Sequence, residues 1–251
     1  MLDILKKNLK LAGEKIKTAK HVTAFTGAGI SVESGIPAYR GEGGFWTKYD
    51  TKVLELNYFY SNPKQSWEII RKIFYEYFEK AKPNDAHHAL AKLEKAGKLH
   101  AIITQNIDNL HYEAGNKTVY EFHGNSKILV CTKCSKKFNA SEINFEKIPP
   151  FCTQCGNLLK PDFIFFGEGI PQEAYNKSFA ETETADVFIL IGTTGLVQPA
   201  ATIPFKAKLN GAVIIEINPE RTIYTDEITD IFLQGKAGEI LNKLNDKVFE
   251  K

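Results

Sequence analysis

Four runs of apolar, mostly β-branched sequence punctuate the chain, and each ends in a polar or glycine cluster. Val22-Thr23-Ala24-Phe25 leads into Thr26-Gly27-Ala28-Gly29, and Ala101-Ile102-Ile103 into Thr104-Gln105-Asn106; Val187 to Ile191 precedes Gly192-Thr193-Thr194, and Ala212 to Ile217 precedes Asn218-Pro219-Glu220. Runs that are apolar on both faces have no side for water, so they predict buried strands of a parallel sheet. Helical patterns separate them. Met1 to Lys20 sets Leu2, Leu5, Leu9, Ala12 and Ile16 three and four residues apart among lysines, Ser66 to Lys80 is helical by pattern and rich in aromatics, and Pro83-Asn84-Asp85 opens a helix through Leu93 that Gly97 stops. The Gly27-Ala28-Gly29 turn, with Ser31 and Ser34 after it, is expected to open a further helix. Between about Asn125 and Leu159 the apolar rhythm weakens, which predicts a small inserted module. The expected fold class is therefore α/β, and in such sheets ligands sit beyond the carboxyl ends of the strands, where all four polar clusters fall.

Composition narrows the picture without redirecting it. With 43% hydrophobic and 25% charged residues in a chain of 251, an ordinary globular protein with a sizeable core is expected. A net charge of +2 supplies no field strong enough to draw nucleic acid or membrane. The longest apolar runs are strand-length, and the first helix lacks the continuous apolar segment of a signal peptide, so a soluble, cytoplasmic protein is expected. Arginine is scarce (Arg40, Arg71 and Arg221), so an arginine inside a motif is informative.

The chemistry-bearing residues form three groups. Cys131-Thr132-Lys133-Cys134 and Cys152-Thr153-Gln154-Cys155 make a doubled C-x2-C pattern, whose two-residue spacers let tight turns present four thiolates to one ion. A closed four-sulfur shell predicts structural Zn2+ rather than a catalytic metal; two disulfides or four unrelated buried thiols are the alternatives. Gly27-Ala28-Gly29 after a strand suits a phosphate-binding turn, because glycines let backbone N–H groups approach a pyrophosphate. It lacks the third glycine of G-x-G-x-x-G, and a purely structural turn is the competing reading. Arg40 and the glycine-dense loop Gly41-Glu42-Gly43-Gly44-Phe45-Trp46 support the phosphate reading, and Glu220 is a candidate partner for an adenosine ribose hydroxyl. Third, Thr104-Gln105-Asn106-Ile107-Asp108-Asn109-Leu110-His111 gathers amides, a carboxylate and an imidazole at a strand end. Phe122-His123-Gly124 follows, which makes His123 a candidate general base, with a hydrogen-bonded core histidine as the alternative.

Gly27-Ala28-Gly29-Ile30-Ser31-Val32-Glu33-Ser34-Gly35-Ile36-Pro37, Thr104 to His111, His123-Gly124, the two cysteine pairs, Lys160-Pro161-Asp162-Phe163-Ile164-Phe165-Phe166-Gly167-Glu168, Gly192-Thr193-Thr194 and Ile217-Asn218-Pro219-Glu220 occur in that order. Together they resemble the sirtuins, NAD-dependent protein-lysine deacylases, from about residue 20 to Gly238. Ala38-Tyr39 stand where many members have Asp-Phe, and Thr194 where Ser is usual.

The resemblance implies a Rossmann-like parallel-sheet domain in three pieces (1–40, 99–124 and 160–251), a cofactor loop and helical insertion over 41–98, and a zinc-ribbon module over 125–159. It implies that NAD is a co-substrate and that one structural Zn2+ is held by Cys131, Cys134, Cys152 and Cys155. Gly27, Ala28 and Arg40 would hold the pyrophosphate, Gly192, Thr193, Asn218, Glu220 and Ala237 the adenosine half, and Gln105, Asn106 and Asp108 the nicotinamide ribose and carboxamide pocket; Ser31, Phe45, Trp46, Ile107, Thr194 and Pro219 complete the cofactor-binding set. His123, with Asn106 and Asp108, forms the implied catalytic set. In the family chemistry the acyl-lysine carbonyl oxygen attacks C1′ of that ribose as nicotinamide leaves, and the histidine acts as base on the ribose hydroxyls, giving free lysine and O-acyl-ADP-ribose. The partner is an acylated lysine on an extended peptide, lying between Phe166-Gly167-Glu168 and Val197-Gln198-Pro199; nucleic acid and membrane are not expected, and no oligomeric state is implied. Sirtuins that prefer succinyl or malonyl groups share a Tyr-x-x-Arg pair on the helical insertion. Here the window reads Arg71-Lys72-Ile73-Phe74, so Phe74 stands at the arginine position and neutral acyl groups are expected, although Arg71 lies one turn away. Mono-ADP-ribosyl transfer at the same NAD site is the alternative enzyme reading. A zinc-ribbon adaptor using Lys127, Lys133, Lys136 and Lys137 is the non-enzymatic one, although that lysine set reads more readily as a solvated face.

Overall fold

A computed structural model describes residues 2–38, 44, 49–76 and 78–250. Six strands form the main sheet: β1 (Val22–Thr26), β2 (Ala101–Thr104), β3 (Val119–Glu121), β7 (Val187–Ile191), β8 (Val213–Asn218) and β9 (Ile231–Gln234). Every pairing is parallel, and the spatial order is β3-β2-β1-β7-β8-β9. This is the doubly wound order of dinucleotide-binding domains, in which the chain reverses direction across the sheet between the first and fourth strands. Here that switch point lies between β1 and β7.

Period-two alternation explains the two layers around the sheet. Along β7, Val187, Ile189 and Ile191 join a core with Leu9, Ile16, Leu90, Leu93, Leu241 and Leu244. Those residues come from α1 (Leu2–Thr18), α4 (Asp85–Lys95) and α9 (Ala237–Phe249), which pack against one another. Phe188 and Leu190 point the other way, into a core with Phe25, Ile103, Ile203, Ile214 and Tyr224, beneath α6 (Gln172–Thr184), α7 (Thr202–Leu209) and α8 (Ile223–Glu227). Both faces are covered, so each strand residue loses water on either side; burying an aliphatic side chain is worth about 1.5–3 kcal/mol. No helix among the described residues is long and apolar enough to cross a membrane.

The second unit is a three-stranded antiparallel sheet in the order β5-β4-β6, made of β4 (Gly124–Cys131), β5 (Lys137–Asn139) and β6 (Leu159–Phe163). It shares one core with the helical insertion, whose helices are α2 (Leu56–Ser61) and α3 (Pro63–Ile70). The expected helix Ser66–Lys80 is not one helix: α3 gives way to a π-helical turn over Arg71–Glu76 and then to a 3-10 turn at Phe78–Lys80. The helix expected from Pro83-Asn84-Asp85 forms, with the Asn84 side chain accepting from the Ala86 N–H. After the glycine turn, the expected helix is a 3-10 segment, Ala28–Ser34, ended by Gly35 in the left-handed region at φ +84°. A short α5 (Leu110–Glu113) follows the polar cluster at the end of β2.

Candidate functional site

The carboxyl ends of β1 and β7 meet at the switch point. The Gly27 N–H donates to the Ile191 carbonyl at 3.0 Å, and the Gly29 N–H to the Gly192 carbonyl at 2.9 Å. Glycine is required because the two loops touch: a Cβ on Gly29 would lie 2.6 Å from the Gly192 Cα, and one on Gly27 would lie 2.8 Å from the Gly192 carbonyl oxygen. Above this contact opens a cavity of about 720 Å³. It collects Gly27, Ala28, Gln105, Asn106, Ile107, His123, Gly192, Thr193, Thr194, Asn218, Pro219 and Ala237, together with Phe74, Phe166, Gly167, Glu168 and Val197. Each of these was singled out in the sequence. Arg40, Phe45 and Trp46 lie outside the described residues. Ser31 and Asp108 are buried but do not line the cavity, and Glu220 is exposed and outside its lining.

Asn106 links the layers. Its Nδ2 donates to the Gly27 carbonyl at 3.1 Å and to Ser31 Oγ at 3.2 Å, and Ser31 Oγ donates in turn to Asp108 Oδ2 at 2.6 Å. Asp108 also receives the Leu110 N–H at 3.0 Å. Burial pushes the Asp108 carboxyl above its ordinary value, partly opposed by the Ser31 and Leu110 bonds. Asp108 thus holds Ser31, and through it Asn106. Asn106 Oδ1 is buried with no partner among the described residues, an acceptor left over beside the cavity. Gln105 Nε2 donates to Thr193 Oγ1 at 2.9 Å and Asn218 Nδ2 to the Thr193 carbonyl at 3.0 Å, so two amides fix the β7 loop from either side. Surplus acceptor, glycine turn and amide-braced loop fit a ligand with phosphates and hydroxyls.

His123 stands where the two halves of the cavity join. Its Nδ1 lies 3.1 Å from the Gln105 carbonyl oxygen. A carbonyl only accepts, so Nδ1 carries the proton and Nε2 keeps its lone pair. Burial pulls the imidazole pKa below its ordinary 6.5, and the Gln105 bond opposes that. On its other side, the His123 carbonyl accepts from the Ile164 N–H at 2.9 Å.

That neighbour begins an aromatic wall that sequence reading did not single out, although it falls inside a quoted motif: Phe163 and Phe165, with Leu54, line the cavity beside Phe74. Phe74 and Phe163 have ring centroids 4.9 Å apart. The π-helical turn places Phe74 in this wall and sends Arg71 elsewhere, its NH1 donating to the Phe145 carbonyl at 3.2 Å and its Nε lying 3.3 Å from Glu76. Arg71 does not line the cavity. The Phe166 N–H and carbonyl are already bonded, to the Leu54 carbonyl at 2.8 Å and the Leu56 N–H at 3.0 Å, so this segment cannot offer all three residues to an added strand. Gly167 remains at that lip, opposite Val197.

The four cysteines are free thiols gathered within 4.8 Å of one another. Sulfur separations of 3.4 Å (Cys131–Cys155), 3.5 Å (Cys134–Cys155) and 3.7 Å (Cys134–Cys152) match the edges of a tetrahedron with Zn–S bonds of about 2.3 Å. Backbone N–H groups draw the Cys131 and Cys155 thiols down, those of Cys134 and Asn157 chiefly, while the neighbouring sulfurs push Cys134 up. The set fits one zinc ion with no open position. Cys131 and Cys152 belong to the same core as Phe74, Phe163 and Phe165, so a metal held by the four sulfurs would adjoin the core that carries the aromatic wall.

Comparison with known proteins agrees with this architecture. The family model described as the Sir2 family matches residues 27–199. An NAD-dependent protein deacetylase 1 of Pyrobaculum aerophilum is 44% identical over 227 residues, covering 90% of this chain and 89% of the relative. An NAD-dependent protein deacylase of Pyrococcus furiosus is 46% identical over 231 residues, covering 90% and 92%. The crystal structure of a Sir2 homologue–NAD complex superposes with a TM-score of 0.87 at 41% identity over 97% of this chain and 93% of that one. A Sir2 variant bound to deacetylated p53 peptide and 3′-O-acetyl-ADP-ribose superposes at 0.90, with 33% identity over 95% and 98%. With the glycine cradle, the buried amides, the histidine and the four thiolates all in one matching frame, the chain belongs to the Sir2 family.

Proposed function

We propose that this protein is an NAD-dependent protein-lysine deacylase that removes neutral acyl groups. The observation that carries this reading is the position of His123, bonded on one side to the polar β2 loop and on the other to the aromatic wall, within one cavity. NAD, when bound, supplies a ribose carbon that parts from nicotinamide and a hydroxyl that takes the acyl group. Gly27 and Ala28 would approach its phosphates, Thr193, Asn218 and Ala237 its adenosine half, and Asn106, through the free Oδ1, a polar group of the reacting half. His123 Nε2, held neutral, accepts the proton from a ribose hydroxyl; the Gln105 carbonyl fixes the tautomer that makes this possible. The acylated lysine reaches the same point through the channel walled by Leu54, Phe74, Phe163 and Phe165, its backbone lying extended between Gly167 and Val197.

The wall also supports an acyl preference. A carboxylate-bearing acyl group facing Phe74 would be desolvated without a cation, at a cost of several kcal/mol. Arg71 is already occupied on the zinc-module side. Each apolar methylene gains about 0.8 kcal/mol there instead. The test is kcat/KM on matched acetyl-, butyryl-, myristoyl- and succinyl-lysine peptides with and without NAD. Turnover should require NAD and succinyl should rank last; succinyl ranking first would overturn the preference. Mass spectrometry showing ADP-ribose attached to the protein, with no acyl loss, would replace deacylation by ADP-ribosyl transfer.

A further inference from the structure

Lys160 is buried, with 6% of its surface exposed, in a core of aromatic residues. Its ammonium spends all three N–H groups: on the Pro161 carbonyl at 2.8 Å, the Phe163 carbonyl at 2.8 Å and Glu168 Oε2 at 2.9 Å. The charge also lies 4.3 Å from the centre of the Phe165 ring. Glu168 Oε2 receives, besides Lys160, the Phe165 N–H at 2.7 Å. Between these two residues every member of the run Phe163 to Glu168 lines the cavity, which a strand with alternating faces cannot do. The run must therefore leave β6 and curl, and curled backbone loses its ladder partners. Ile164 and Phe166 find main-chain partners in His123, Leu54 and Leu56, and Lys160 and Glu168 serve the Phe163 carbonyl and the Phe165 N–H.

We propose that Lys160 and Glu168 are positioning residues for acyl-lysine binding: the pair, Lys160 buried and Glu168 partly so, clamps the wall over residues 163–165, and neither side chain is needed for NAD. The inference rests on the deacylase reading. Losing the ammonium would leave the Pro161 and Phe163 carbonyls without their donor and the partly buried Glu168 carboxylate without its counter-charge, a penalty that relaxes if the run moves. Moving it displaces the channel wall, while the glycine cradle, on other strands, stays.

The experiment compares Lys160→Met, Lys160→Arg and Glu168→Gln with the parent protein on an acetyl-lysine peptide, varying peptide and NAD separately. Lys160→Met and Glu168→Gln should raise the peptide KM about tenfold or more with the NAD KM within about twofold, and Lys160→Arg, which keeps the charge and donors, should recover most of the loss. Peptide KM within twofold of the parent, or peptide and NAD KM rising together, overturns the proposal. Should Lys160→Met fail to fold, Glu168→Gln decides alone, because glutamine keeps an acceptor for Phe165. A parent protein without deacylase turnover refutes the functional reading instead. The clamp is then judged by hydrogen exchange in Glu168→Ala, which removes the acceptor: faster exchange at Phe165 supports it, and unchanged exchange overturns it.

Discussion

The parallel sheet and the small module solve the same problem with different materials. On one face of β1, β7 and β8 the core is aliphatic, with Ile189, Ile191, Ile215, Leu241 and Leu244 all buried, and hydrogen bonds are closed within the ladder. The small module and the insertion rely on Phe59, Trp67, Phe74, Phe163 and Phe165, on thiolates and on side-chain bonds to the backbone, such as Trp67 Nε1 to the Leu159 carbonyl at 3.0 Å. Its sheet has only three strands, two of them of five residues or fewer. A sheet of that size buries too little to hold itself, so the metal and the interlocked rings supply what area does not. On the proposed reading the difference assigns each half of the reaction its own support: the cofactor to the self-sufficient unit, the acyl group to the dependent one.

Removing the metal should divide the two most sharply. Cys131→Ala, or exhaustive chelation, is expected to abolish stoichiometric zinc and all deacylation. NAD affinity should stay within about threefold of the parent, since binding energy for zinc is folding energy for the module alone. Elemental analysis and an NAD titration check this; loss of NAD binding together with zinc would merge the two units into one. At the seam, His123→Ala should lower turnover by about 10²–10⁴ while the thermal midpoint and NAD binding barely move. Parental turnover in that variant would make His123 a core histidine. Matched truncations then weigh the cores: Leu190→Ala is expected to cost about 2–5 kcal/mol and Phe74→Ala about 3–5 kcal/mol in denaturant unfolding. Only Phe74→Ala should also depress kcat/KM for the acyl peptide in protein that remains folded. Equal kinetic effects would mean that the sheet core shapes the channel as well.

The smallest effect is in pH. His123 titrates below 6.5, so the acidic limb of kcat/KM should have its midpoint under pH 6.5, with neutral imidazole as the active form. Stability follows the same sign. His87, pushed down to about 4 by burial, and His111, also lowered by burial, bind protons more readily in the unfolded chain. Stability is therefore full above about pH 6.5 and falls as pH drops below it. Both belong to the sheet unit, so acid should attack that half first, the reverse of chelation; hydrogen exchange at pH 5 reads which half opens.

Much of this was legible because the signals were local. Runs apolar on both faces announced β1, β2, β7 and β8, and doubled C-x2-C spacing announced the thiolate cluster. The edge strands β3 and β9 were not marked out: only partly buried, they lack the run apolar on both faces that announced β2 at four residues. The break of the insertion helix at Arg71 escaped as well, since aromatics at helical spacing say nothing about whether a turn closes four or five residues on. Lys160 was quoted only as the first residue of a motif and given no role: a lysine reads as solvated, and its partner lies eight residues away across a curl that sequence periodicity cannot describe. Glu220, chosen for its place after a strand, illustrates the opposite limit, because proximity in sequence to Asn218 did not bring it into the cavity lining.

The touching loops of β1 and β7 have a consequence for how this protein can vary. Gly27, Gly29 and Gly192 block one another reciprocally: a methyl on Gly192 would come within 2.5 Å of the Ile30 nitrogen, just as one on Gly29 would strike Gly192. A defect at one of these positions therefore has no suppressor at the other two, since each added atom enlarges the same contact and none can shrink below glycine. The three positions form a closed genetic unit with no stepwise exit, and in a saturating double-mutant library they should behave as one locus.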